Sequence, residues 1–96
     1  MKEAELERWL GKQVRRLNGL CLKWVSPGTV GVPDRIIILP GGQVWFVELK
    51  QAGKQPTRSQ EQVLRMLSAR GARVRVVAGI IQAAEFIEEL KGATPA

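Results

Sequence analysis

The segment between Asp34 and Lys50 constrains this chain more than any other. Two apolar runs, Arg35-Ile36-Ile37-Ile38-Leu39 and Val44-Trp45-Phe46-Val47, flank Pro40-Gly41-Gly42. β-Branched and aromatic residues favour extended backbone and Pro-Gly-Gly favours a tight reversal, so the pair predicts an antiparallel hairpin. If Pro40-Gly41-Gly42 forms the loop, Leu39 lies opposite Gln43, Ile38 opposite Val44, Ile36 opposite Phe46 and Asp34 opposite Glu48. Both strands are apolar on both faces, so patterning does not by itself select this register. A slip by one residue puts the two carboxylates on opposite faces.

Periodicity organises the rest. From Glu3 to Asn18, Leu6, Leu10, Val14 and Leu17 recur at helical spacing, and Asn18-Gly19 supplies a stop. Leu20 to Val25 suits a short strand, and Ser26 to Pro33 is a Gly- and Pro-rich loop. Thr57 and Gln60 have capping-box spacing at the head of a second helix, whose inner face carries Gln60, Val63, Leu64 and Leu67 and which Gly71 ends. Arg73 to Ala78 suits another strand. Ile81 to Lys91 is a final helix with Ala84, Ile87 and Leu90 inward and Glu85, Glu88 and Glu89 outward. The order α-β-β-β-α-β-α predicts an α/β fold, a mixed sheet flanked by helices. One domain over residues 1–91 is expected, with 92–96 as a flexible tail.

The composition excludes several chemistries. The chain has no histidine, no tyrosine and a single cysteine, Cys21. Histidine acid–base catalysis, tyrosine nucleophiles and a structural zinc site are therefore excluded. Cys21, inside Leu20-Cys21-Leu22, reads as a small buried hydrophobe. No apolar stretch approaches a membrane span and Met1-Lys2-Glu3 does not open a signal peptide, so a cytoplasmic protein is expected. The net charge of +6 favours a polyanionic partner.

Any hydrolytic chemistry must then come from carboxylates, lysine and a hard cation. Glu48 and Lys50 project from the same side of one strand, their Cα atoms roughly 7 Å apart. Charges at the end of an apolar strand cost desolvation energy unless something compensates them. A cation between Asp34 and Glu48 does so, and oxygen ligands suit Mg²⁺ or Mn²⁺. The Leu49 carbonyl is a further candidate ligand, and Lys50 can orient water or stabilise developing negative charge.

Gly31-Val32-Pro33-Asp34 with the apolar run after it, the Gly-Gly turn, and Trp45-Phe46-Val47-Glu48-Leu49-Lys50 together resemble the VRR-NUC branch of the PD-(D/E)xK nuclease superfamily. The resemblance runs from Glu3 to about Leu90. It implies a compact restriction-endonuclease-like domain and a Mg²⁺- or Mn²⁺-dependent DNA endonuclease. Asp34, Glu48 and Lys50 match the family's acidic and lysine positions. The family's helix-one glutamate corresponds best to Glu3, with Glu5 and Glu7 as competitors, and Gln60 matches a glutamine of the helix after the lysine strand. Many members are stand-alone phage or bacterial proteins related to Holliday-junction resolvases. Branched DNA and a homodimer are thus the expected partners, in a bacterial host or phage-infected cell.

Each feature also has a plainer explanation. Asp34 can be a turn residue after Pro33, and Glu48 with Lys50 a surface ion pair. Gln60 is fully accounted for by a capping box, and the helix-one glutamates by the helix dipole. Lys12, Arg15, Arg16, Arg73 and Arg75 suit ordinary solvated surface, whereas Lys23, Lys54 and Arg58 fall in segments expected to border the site and to meet phosphates. Trp9 and Trp45 suit burial better than base stacking. Two other readings of the chain are a non-catalytic nucleic-acid-binding module and a structural subunit that binds another protein.

Overall fold

The computed structural model describes residues 1–93, and the element order is the expected α-β-β-β-α-β-α. Helix α1 (Glu3–Arg16) is followed by strands β1 (Leu20–Lys23), β2 (Arg35–Ile38) and β3 (Val44–Lys50), helix α2 (Arg58–Ala69), strand β4 (Arg73–Ala78) and helix α3 (Gly79–Ala93). The sheet runs β1-β2-β3-β4, with antiparallel pairing up to β3 and parallel pairing of β3 with β4. A parallel connection needs a crossover, and α2 supplies it.

The hairpin register is the one that puts like parities together: Ile36 pairs with Phe46 and Ile38 with Val44. The reversal fixes it. The Leu39 N–H donates to the Gln43 carbonyl at 2.9 Å, and the Gly42 N–H donates back to Leu39 at 2.9 Å. Gly41 and Gly42 have φ of 94° and 90°, a conformation that side chains disfavour.

Odd-numbered strand residues form the core. Ile37, Leu39, Trp45, Val47, Leu49 and Val77 are buried with Leu6, Leu10 and Val14 of α1 and Ala83, Phe86, Ile87 and Leu90 of α3. Trp45 meets Phe86 edge-on at 5.2 Å, and Trp9 packs against the same cluster. Even-numbered residues face the other way, where Phe46 touches Trp24 and where Val76 of β4 and Leu64 of α2 line one pocket. The two sheet faces are thus unequal: one holds the apolar core and the other carries Asp34, Glu48 and Lys50.

Several boundaries differ from the sequence reading. Strand β1 stops at Lys23, because beyond it only the Trp24 N–H bonds to the Asp34 carbonyl, and Val25 is exposed. Cys21 is half-buried, since β1 is an edge strand. In α3 the inward stripe is Ala83, Phe86, Ile87 and Leu90, and Ala84 is exposed. The phase is set by Phe86, whose large ring takes the core position. Helix α3 includes Gly92 and Ala93, which the sequence reading places in the tail, and Thr94, Pro95 and Ala96 lie outside the described residues.

Candidate active site

Strands β2 and β3 bring Asp34 and Glu48 together. The Arg35–Val47 pair sets Asp34, one position ahead of β2, across from Glu48. Asp34 is then held from both sides: its carbonyl accepts the Trp24 N–H at 3.0 Å, and its Oδ2 accepts the Leu49 N–H at 2.7 Å. A carboxylate oxygen on a main-chain N–H is a charge-assisted bond, and it orients the Asp34 side chain toward β3.

Glu48 is the one buried charged residue among the described residues, at 1% exposure. Its Oε2 lies 3.4 Å from the Lys50 ammonium, while Oε1 is buried without a hydrogen-bond partner. Burial, then the neighbouring Asp34 carboxylate, push the Glu48 carboxyl up to about 7, against the opposing pull of Lys50. The site thus resists holding two bare negative charges. An orphaned buried oxygen beside a second carboxylate is the arrangement that a hard divalent cation satisfies, and these donors fit Mg²⁺ or Mn²⁺. Leu49, between the two charged residues of β3, is buried; its N–H serves Asp34 and its carbonyl remains the candidate ligand.

The other expected site residues are less closely gathered. Gln60 caps α2: its Oε1 accepts the Thr57 N–H at 2.8 Å, and its own N–H donates to Thr57 Oγ1 at 3.3 Å. With Oε1 engaged, its side-chain NH₂ is what it can offer a substrate. Glu3 is exposed in the first turn of α1, and among the described residues no third acidic group joins Asp34 and Glu48 in a metal-binding cluster. Glu7 is turned instead to Arg35, with Nε at 3.1 Å and Nη2 at 3.0 Å from its Oε1. Lys23, Lys54 and Arg58 are exposed at the end of β1, in the loop after β3 and at the head of α2, all segments that adjoin the Asp34–Lys50 end of the sheet.

A relative named "Putative nuclease p44", from Acyrthosiphon pisum secondary endosymbiont phage 1, is 42% identical over 77 residues, 80% of this chain and 83% of the relative. A solved VRR_NUC domain superposes with a TM-score of 0.86 at 33% identity, over 90% of this chain and 94% of that one. The chain belongs to the VRR-NUC nuclease family. A further VRR_NUC domain protein has the same fold, with a TM-score of 0.76 at 18% identity over 98% of this chain and 91% of that one. No family model matches the chain.

Within this VRR-NUC domain one positioning residue escapes sequence reasoning. Gly31 has φ 95°, and a Cβ there would sit 2.6 Å from the main-chain carbon and oxygen of Ser59 and 2.9 Å from the Gln60 nitrogen. The loop leading to Asp34 is therefore pressed directly against the first turn of α2. The sequence shows only a glycine in a flexible-looking loop; its partner is 28 residues away. No helix among the described residues is long and apolar enough to cross a membrane.

Proposed function

We propose that this VRR-NUC nuclease is a deoxyribonuclease that hydrolyses phosphodiester bonds with the help of Mg²⁺ or Mn²⁺. The observation that carries this reading is the buried, unpartnered Oε1 of Glu48 beside the Asp34 carboxylate. Asp34 and Glu48 would hold the cation, with the Leu49 carbonyl as a further ligand. Bound there, it supplies a Lewis acid that eases water ionisation and offsets negative charge on the phosphate.

The chain's own groups do the positioning. The Leu49 N–H fixes the Asp34 carboxylate, and the buried wall around Glu48 excludes bulk water from its inner oxygen. The Lys50 ammonium, anchored by Glu48, orients the attacking water through a hydrogen bond and stabilises the charge that develops on the phosphoryl oxygens. Gln60 contributes its NH₂ as a donor. Glu3 has no part in holding the cation, since among the described residues no third carboxylate stands with the acidic pair.

Branched DNA is the substrate class we propose, cut by a homodimer that offers two sites to two strands. Leu20, Leu22 and Val25, exposed along the sheet edge at 55%, 45% and 68%, provide apolar surface for a second copy. The test is incubation of four-way-junction and linear duplex DNA with Mg²⁺, Mn²⁺ or EDTA. Cleavage with either cation, none in EDTA and faster cutting of the junction is the expected result. Undiminished cleavage in EDTA would overturn the metal role, and equal rates on both DNAs would overturn the substrate preference.

A further inference from the structure

On the sheet face opposite the acidic pair, a groove of about 520 Å³ runs between α1 and strands β1 and β2. Arg8, Lys12, Arg15 and Arg35 line it, against a single carboxylate, Glu7. Arg8, Lys12 and Arg15 fall at helical spacings of four and three, which stacks them along one side of α1. Like charges so placed weaken an isolated helix. Among the described residues none of the three makes an ion pair, whereas Arg35 is fixed by Glu7.

Gly11 shows how the groove is kept open. It is buried in the middle of α1, where glycine costs about 1 kcal/mol relative to alanine. A Cβ at Gly11 would come within 3.1 Å of Arg15 Nη1. The bare backbone is thus the floor over which the Arg15 guanidinium lies.

The groove and the site lie on opposite faces of the sheet and are joined through one step of β2. Arg35 follows Asp34 directly in the chain, and strand alternation sends their side chains to opposite faces. From Arg8 to Arg15 the cations span about 10 Å of helix axis. That is the length of about three nucleotides of a duplex strand.

We infer that the α1 groove is a track for the phosphodiester backbone of nucleic acid flanking the bond to be cut. The inference rests on the nuclease reading above and adds where the substrate lies beyond the acidic pair. Guanidinium and ammonium groups without internal partners match a line of phosphates, and the groove gives them a shape to bind. The track recognises backbone and carries no base preference.

The experiment measures binding of duplex DNA in EDTA, where cutting does not interfere, over a range of salt. The variant R8Q/K12Q/R15Q is compared with a control losing as many charges elsewhere, R65Q/R70Q/R73Q. The track variant should bind about tenfold or more weakly, with a salt slope lower by about 0.9 per lost phosphate contact. Its cleavage rate at saturating DNA with Mg²⁺ should match wild type, as should its melting temperature. Cys21, the chain's single cysteine, lines the same groove and gives a positional readout. Bound DNA should slow its alkylation in wild type and in the control, and not in the track variant. Equal weakening by both variants, an unchanged salt slope, or alkylation indifferent to DNA would each overturn the track. Wild type that cuts DNA while the track variant binds normally sinks the track alone; wild type that neither binds nor cuts DNA sinks the nuclease reading with it.

Discussion

Glu48 is the buried carboxyl on which the electrostatics of the acidic pair turn. Its carboxyl is raised from 4.5 to about 7 by burial first and by Asp34 second. The folded protein therefore holds the Glu48 proton more tightly than the unfolded chain does. The resulting stabilisation is complete below about pH 4.5 and is lost as pH rises through about 7. In EDTA the protein should lose on the order of 3 kcal/mol of stability from this group. Thermal unfolding across that range checks the sign. Mn²⁺ should raise the melting temperature more at high pH than at low pH, because cation and proton compete for the same oxygens. Glu48→Gln removes the buried charge, so it should stabilise the metal-free protein at pH 8 while abolishing cleavage. Asp34→Asn keeps an acceptor for the Leu49 N–H, so it should fold normally and cut at least a hundredfold more slowly, an order of magnitude in keeping with lost transition-state stabilisation of about 3 kcal/mol.

At the scale of elements, the same chain shows two glycines with opposite consequences. Gly31→Ala meets the Ser59 main chain at 2.6 Å and demands a positive φ, so neither the loop nor α2 can yield cheaply. A loss of about 1–3 kcal/mol is expected. Because that loop delivers Asp34, cleavage should fall by more than the unfolded fraction explains, which kinetics on the remaining folded protein can measure. Gly11→Ala meets only the flexible end of Arg15, so it should stabilise α1 by up to about 1 kcal/mol in denaturant titration. Neither contact was legible in the sequence, because both depend on which segments come together in space. What was legible came from local chemistry. Pro40-Gly41-Gly42 announced the hairpin, although strands apolar on both faces left its register open, and Thr57 with Gln60 announced the head of α2. Ala84 was misplaced because alanine carries little hydrophobic signal, so the large Phe86 at a neighbouring phase decided which side of α3 faces inward. Glu7 was a competitor of Glu3 for one role until its ion pair with Arg35 distinguished it.

At the scale of the molecule, one sheet serves two purposes. Its odd face is sealed by α1 and α3 into the apolar core, and its even face carries the acidic pair at the end where β2 begins and β3 finishes. Part of the surplus positive charge lines the groove over α1, and further basic residues stand around the site end. A small core leaves limited stability in a single copy. The exposed apolar edge of β1 predicts a homodimer by sedimentation, and Leu22→Lys on that edge should shift it to monomer without unfolding it. A wild type that sediments as a monomer at high concentration would contradict the two-site arrangement. The division of the sheet has meaning for function only if Asp34 and Glu48 share a cation. The most direct measurement is an anomalous difference map from crystals of this chain soaked in Mn²⁺. A peak within coordination distance of an Asp34 carboxylate oxygen and Glu48 Oε1 is the predicted result. No peak there, with Glu48 Oε1 bonded to some other group, would contradict it.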